Sequence, residues 1–246
     1  MSKIIVTTIG RLTSDGEVKK TQNGDLFTVF NLVVNKGFGD KEHTLFLNCI
    51  ANGNVLEKMK AKKGSSVMIT GEFYQRQYVD KDGNNRTAYR VTVHNIEYCP
   101  VPKNTPITVT AVGNCCADIS SNPANTAGHV NFACSSGKED NKRTTFVCLN
   151  FYNQTLLRVI NAKVKKGSGL LVTGDLDIRD FTRTDGTTGT QPVVNVEGWN
   201  YCSYPKKEEN SDSRSAEQPV PMEQPTPQNS FGEGEFMDVD DEDLPF

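Results

Sequence analysis

The 246-residue chain has no stretch of about 18 or more apolar residues, so no transmembrane helix and no membrane partner are expected. Its first residues, Met1-Ser2-Lys3-Ile4-Ile5-Val6-Thr7-Thr8, lack the apolar core of a signal peptide, and a cytoplasmic protein is expected. Histidine is scarce: His43, His94 and His129 stand apart, with no cluster of carboxylates and histidines to hold a catalytic metal. No catalytic residue, metal ligand or cofactor is therefore assigned, and a binding protein rather than an enzyme is expected. The seven cysteines are an odd number with no C-x-x-C pair, which argues against a disulfide framework and a Cys-rich zinc site; most read as buried small hydrophobes. Lys62-Lys63-Gly64-Ser65 and Lys165-Lys166-Gly167-Ser168 look like the end of a phosphate loop, but both lack the glycine that opens G-x-x-x-x-G-K-[ST]. They read as a helix terminus followed by a turn.

Charge is plentiful and unevenly placed. Residues 207–246 hold twelve acidic side chains against Lys207 and Arg214, a net of −10, whereas the preceding 206 residues hold 25 basic and 18 acidic ones, a net of +7. A basic body with an acidic tail suggests a polyanion-binding domain carrying an interaction segment. The tail has too few apolar residues to offset the entropy of ordering it, so disorder is expected there. Acidity alone would be explained by a solubilising role. The ending Asp240-Asp241-Glu242-Asp243-Leu244-Pro245-Phe246 adds a ring and a carboxylate behind an acidic run, which suits a shallow apolar pocket rimmed by Arg or Lys on a partner protein.

The body repeats. The segment from Lys62 to Phe73 recurs from Lys165 to Leu176, an offset of 103 residues that also maps Gly10 to Gly113, Arg76 to Arg179, Asp82-Gly83 to Asp185-Gly186 and Tyr98-Cys99 to Tyr201-Cys202. A one-residue slip maps Leu47-Asn48 to Leu149-Asn150. Two units of this length are two domains rather than a solenoid. The expected division is 1–103, 104–206 and the tail 207–246, with the join at the Pro-rich stretch from Pro100 to Pro106.

Within the first unit, Phe27–Val34, Thr44–Ile50 and Ser65–Phe73 read as strands, and Tyr78 to Tyr89 as a hairpin around Asp82-Gly83 whose return strand is Tyr89–Val93. The one helical pattern is Asn54–Ala61, stopped at Gly64. A short helix between the third and fourth of five strands is the layout of an OB-fold barrel, so the fold class is all-β: two tandem five-stranded OB-fold barrels, each with one short helix, and a disordered acidic tail.

Strand alternation sends Leu47, Cys49 and Ala51 inward and Phe46, Asn48, Ile50 and Asn52 outward; in the second copy it sends Val147, Leu149 and Phe151 inward and Phe146, Cys148, Asn150 and Tyr152 outward. Outward rings on a basic barrel suit base stacking. Tyr74, Arg76 and Tyr78 share a face, as do Asp177, Arg179 and Phe181, and an Arg between rings can hold a phosphate or stack on a base. Any one such ring is more easily explained by packing; what lifts the set is its recurrence in two diverged copies beside Lys62, Lys63, Lys165 and Lys166. Trp199, at the position of Ile96, is assigned to packing. A rival reading is an OB-fold protein–protein adaptor with little DNA affinity, in which Phe46, Tyr78 and Phe181 would be buried in an interface.

Ile9-Gly10-Arg11-Leu12, Phe46-Leu47-Asn48-Cys49-Ile50, Lys62-Lys63-Gly64-Ser65, Gly71–Tyr78, Asp82-Gly83 and the acidic tip resemble the bacterial and phage single-stranded DNA-binding proteins, in the form with two OB-folds per chain. The resemblance implies base stacking by Phe46 and Tyr78, by Phe181 through the repeat, and by Phe146 and Tyr152 on the third strand of the second copy. It implies a homodimer presenting four barrels, and docking of replication, recombination and repair proteins on the tip, with the protein nucleoid-associated or, if phage-encoded, in host cytoplasm. Copy one departs by placing Asn52 where many relatives have a second aromatic, and copy two by Gly113-Asn114-Cys115 in place of Gly-Arg-Leu. Unequal binding by the two copies follows. Stacking and phosphate contacts alone leave DNA and RNA open.

Overall fold

A computed structural model describes residues 2–37, 39–79, 83, 85–137, 142–182 and 188–203. The tail from Lys207 to Phe246, and with it the tip Asp240–Phe246, lies outside the described residues, as do Asp82 and Asp185-Gly186. The first barrel comprises β1 (Ile4–Leu12), β2 (Glu17–Lys20), β3 (Leu26–Lys36), β4 (His43–Asn52), α1 (Val55–Met59), β5 (Ser66–Val79) and β6 (Asn85–Tyr98). The second comprises β7 (Thr108–Cys115), β8 (Ser120–Ser121), β9 (Ala127–Ser136), β10 (Arg143–Tyr152), α2 (Asn153–Asn161), β11 (Gly169–Thr182) and β12 (Thr188–Ser203).

In each unit five strands close on themselves. β1 pairs with β5 and, at Arg11↔Val33, with β3; β3 continues through β4 and β6 back to β5. β4 runs parallel to β6, with Asn48 opposite Arg90, the pairing that a crossover through α1 permits. β7, β9, β10, β12 and β11 repeat this closure. Both units are OB-fold barrels. Each also carries one short strand that the sequence pattern does not reveal, β2 on β3 and β8 on β9, because these pieces are too brief and polar to alternate. The expected strand at Ser65–Phe73 and the arm at Tyr78 merge into one strand, β5, since no Gly or Pro interrupts Tyr74-Gln75-Arg76-Gln77.

The glycines that recur at 103 mark where backbones cross. A Cβ on Gly10 would lie 2.5 Å from the Val33 carbonyl oxygen, and one on Gly113 2.3 Å from that of Ala133, at the two points of barrel closure. Gly71 and Gly174 sit at β-bulges, where a Cβ would approach Thr92 O to 2.3 Å and Asn195 O to 2.1 Å. The tyrosines of the repeat are also matched: Tyr98 Oη donates to the Met59 carbonyl and Tyr201 Oη to that of Ala162, both at 2.8 Å, tying the last strand to the helix end.

The sheet register corrects the slip inferred from Leu47-Asn48. Asn48 pairs with Asn31 and Arg90, and the residue paired with Asn131 and Val193 is Cys148, not Asn150. Leu47-Asn48 therefore corresponds to Val147-Cys148, an offset of 100. The missing three residues return between the left-handed Asn153 and Lys163, the counterparts of Gly53 and Lys60, and lengthen the helix between them. An error of two residues kept every side chain on its assigned face, which is why alternation alone could not expose it.

The barrels are joined into one twelve-stranded sheet by antiparallel pairing of β1 with β7, from Ile4↔Ala111 to Thr7↔Thr108. Beside this seam the buried Lys36 donates to both carboxylate oxygens of Asp175, at 2.7 and 2.8 Å, and to the Leu176 carbonyl. Phe30 and Phe73 fill the first core, Phe132 and Phe151 the second. Cys49, Cys115, Cys134 and Cys148 are buried, Cys99 and Cys116 half-buried and Cys202 exposed. Trp199 packs against the second core with its ring edge-on to Tyr201, centroids 5.6 Å apart, and its Nε1 has no partner among the described residues.

Candidate nucleic-acid interface

The outer face of β3–β4 and of β9–β10 is a ladder of paired side chains. In barrel one the successive rows are Phe27–Asn52, Val29–Ile50, Asn31–Asn48 and Val33–Phe46; in barrel two they are Ala127–Tyr152, His129–Asn150, Asn131–Cys148 and Ala133–Phe146. Phe46 and Phe146 occupy the same place and are 67% and 50% exposed; Tyr152 is 43% and Phe181 39% exposed. Phe146 and Tyr152 lie six residues apart on one face, about 20 Å at ~3.3 Å per residue, so the rings can engage separate bases. Asn52, the departure noted in copy one, is paired across the ladder with half-buried Phe27. The second ring has moved to the neighbouring strand rather than vanished. Phe27 was legible only as a strand residue, because cross-strand pairing is needed to place it.

Next to this ladder, the β5–β6 arm of barrel one carries Tyr74, Arg76 and Tyr78, all half-buried. Tyr74 pairs with Arg90 on β6, and Arg90 in turn pairs with Asn48 on β4, so one row crosses three strands. Burial first, then the like charge of Arg76, lowers the affinity of Arg90 for its proton, while Tyr74 acts in the opposite sense. Two guanidinium groups close enough to repel are a favourable place for a phosphate. Asn48 Oδ1 and Arg90 Nε in that row are buried without a hydrogen-bond partner among the described residues. Arg90 was missed from sequence, because its place across from Tyr74 depends on the register between β5 and β6.

Barrel two differs at the corresponding strand. Asp177 stands where Tyr74 does, and its carboxylate accepts a hydrogen bond from Arg179 Nε (3.3 Å) and lies 2.9 Å from Nε2 of His43, which belongs to barrel one. Burial alone would push the Asp177 carboxyl up, but the hydrogen bond from His43, the Lys36 charge and the hydrogen bond from Arg179 outweigh it and hold it below the usual carboxylate range. Arg179 is thus partly neutralised, whereas Arg76 and Arg90 repel each other. Cys148, although on the outward face, is buried. The arm of barrel one meets the start of β10: the Gln75 amide donates to Thr145 Oγ1 (3.1 Å), and the Arg143 guanidinium sits 5.3 Å above the Tyr74 ring. Arg143, a second residue missed from sequence, leads from one barrel to the other.

Lys62, Lys63, Lys165 and Lys166 are exposed in the turns after the helices. In both copies the serine Oγ of the Lys-Lys-Gly-Ser step accepts the N–H of the first lysine at 3.0 Å, and an aspartate accepts that of the second: Asp15 at 2.6 Å and Asp118 at 2.8 Å. These amides are occupied, as a structural turn requires, and only the ammonium groups remain to meet a ligand.

The model of the single-strand binding protein family matches residues 1–99 and 108–201, one match on each barrel. A single-stranded DNA-binding protein of Chlamydia caviae is 31% identical over 98 residues, covering 39% of this chain and 61% of that protein. One of Chlamydia trachomatis is 33% identical over 92 residues, covering 37% of this chain and 59% of its own length. The chain thus spans about three fifths of the length of these relatives. Among solved structures, the wild-type single-stranded DNA binding protein from Thermus aquaticus superposes with a TM-score of 0.57 at 19% identity, covering 83% of this chain and 95% of that one. That likeness is one of fold.

Proposed function

The chain belongs to the single-strand binding protein family, both barrels being matched, and from that premise we propose that it binds single-stranded DNA without chemistry, protecting it during replication, recombination and repair. The observation that carries the reading is the pair of exposed rings, Phe46 and Phe146, at one position of two diverged barrels whose body has a net charge of +7. Rings stack on any base, and Arg76, Arg90, Arg143 and the turn lysines neutralise phosphates, so affinity needs no fixed sequence. Tyr78, Phe181 and Tyr152 extend the stacking surface, and Arg179 adds a weaker phosphate contact because Asp177 shares its charge. The adaptor reading, in which Phe46, Tyr78 and Phe181 meet a partner protein, predicts no preference for the single strand in the titration below.

The same proposal includes a homodimer presenting four barrels, a cytoplasmic location, and recruitment of replication, recombination and repair proteins by Asp240–Phe246. Among the described residues no helix is long and apolar enough to cross a membrane. The test is fluorescence anisotropy with labelled oligo-dT, an equal-length duplex and an RNA, comparing the intact protein with the Phe46→Ala/Phe146→Ala variant. Tight binding of the single strand that weakens with salt and falls by about 1–3 kcal/mol for each ring removed supports the reading. Equal affinity for duplex, or no change in the variant, refutes it.

A further inference from the structure

On the outer face of barrel two, a cleft of about 380 Å³ opens between the short hairpin β8–β9 and the end of β10, beside Tyr152. Its floor is a row across three strands: Ser120 pairs with His129, and His129 with Asn150. Barrel one provides an internal control, because its corresponding row is Glu17, Val29 and Ile50. Where barrel one has an acid and two aliphatic residues, barrel two has a hydroxyl, an imidazole and a carboxamide.

The cleft suits a base and not a phosphate. Among the described residues no Lys or Arg lines it, so none of them offers an anion a cationic partner. Tyr152 supplies a stacking wall, and the row supplies groups able to meet a base edge. Asn122 and Ser121 are already engaged: Asn122 Oδ1 accepts the N–H groups of Thr126 and Ala127, its Nδ2 donates to Thr126 Oγ1, and Ser121 Oγ donates to Asn125 Oδ1. They build the rim. Asn150 is held loosely by comparison: its Nδ2 has contacts of 3.4 Å to Tyr152 Oη and 3.5 Å to Asn195 Oδ1, and its Oδ1 accepts the Cys148 thiol at 3.6 Å. The two nitrogen contacts are long for N–H···O bonds and are readily exchanged for a ligand.

We propose, resting on the single-strand-binding reading, that this cleft takes one nucleobase of the bound strand and reads its edge through Asn150, with adenine preferred. A carboxamide offers a donor and an acceptor side by side, and adenine presents the complementary N6 amino group and ring nitrogen on both its Watson–Crick and its Hoogsteen edge. Barrel one, with Val29 and Ile50 in the same row, offers a base apolar surface there and no group to read its edge. The two barrels of one chain therefore differ in kind: one indifferent to sequence, the other adding a preference.

The experiment is an anisotropy titration of the full chain with oligo-dT, with a strand alternating cytosine and adenine, which cannot pair with itself, and with the same strand carrying purine, which lacks the 6-amino group, in place of adenine. The wild type is expected to bind the adenine strand at least about fivefold more tightly than the purine strand, the lower range for one bidentate pair. Asn150→Ile and, separately, His129→Val, each installing the barrel-one residue, should bring that ratio toward one, with circular dichroism showing the barrels intact. Tight oligo-dT binding with no adenine-to-purine ratio overturns the cleft and leaves single-strand binding standing. A ratio that survives Asn150→Ile overturns Asn150 as the reader. Failure to bind any of the strands overturns both proposals together.

Discussion

Asp175→Ala tests what holds the two barrels in one orientation. Lys36, 5% exposed, meets both oxygens of Asp175 and the Leu176 carbonyl, and Asp175 Oδ1 also accepts the Ile107 amide at 2.9 Å. Without the carboxylate a buried ammonium is left with one carbonyl, a loss of about 3–5 kcal/mol. Lys36→Met acts from the other side and costs less, about 1–2 kcal/mol, because the Asp175 side chain is 29% exposed and can recruit water while keeping the Ile107 amide. Once Lys36 is Met there is no stranded cation, so the double variant should lose much less than the sum of the singles, a coupling of about 2 kcal/mol. Urea denaturation reports both quantities, followed by emission of Trp199, which lies in barrel two, and by far-ultraviolet circular dichroism, which sees both barrels. A cost for Asp175→Ala below about 1 kcal/mol, or strictly additive single costs, would refute the reasoning.

Gly174→Ala places a methyl group 2.1 Å from the Asn195 carbonyl oxygen, where only backbone can yield. A loss at or above the upper end of the usual 1–3 kcal/mol for overpacking is expected in thermal unfolding, and wild-type stability would show that the bulge can relax. For Asp177, the folded carboxyl titrates below its unfolded value, so its contribution is complete above the ordinary carboxylate pKa, about 4, and disappears as pH falls through the depressed value. Asp177→Asn should therefore flatten the acid limb of melting temperature against pH below about pH 4; an unchanged acid limb in the variant would show that the contacts to His43 and Arg179 do not stabilise the folded state.

Much of each barrel was legible because its signals are local. Alternation in Phe46–Ile50 gave the faces, and Phe46 is exposed where that pattern put it. The helix lay within Asn54–Ala61, and the lysine turns proved to be turns. What escaped depends on partners distant in sequence. His43 meets Asp177, and Arg143 meets Tyr74, across the seam between barrels, and no periodicity within one strand encodes such a meeting. Cys148 is buried although its strand aims it outward: Asn150 on its own strand and Arg179 on β11 lie beside it, and alternation along one strand does not show what a neighbouring strand covers.

The exchange of Phe27–Asn52 for Ala127–Tyr152 shows where the repeat has been held constant. Position by position, barrel one lost a ring at Asn52; row by row, a large ring and a small partner changed places across one pair, so the outer ladder carries a ring at that end in both copies. A ligand senses the surface a row presents and not the strand that supplies it, so a stacking function constrains the row and leaves each strand free to vary. The rows that differ in chemistry must then be explained by something other than stacking. Val29–Ile50 against His129–Asn150 replaces apolar surface by hydrogen-bonding groups, while Tyr74 against Asp177 turns a ring beside an arginine into a carboxylate that binds it. Barrel two has weaker phosphate attraction on its arm and more hydrogen-bonding capacity on its ladder. That trade reduces a term indifferent to sequence and adds one that depends on it, and it is the direction of change expected if the second barrel contributes discrimination while the first contributes affinity.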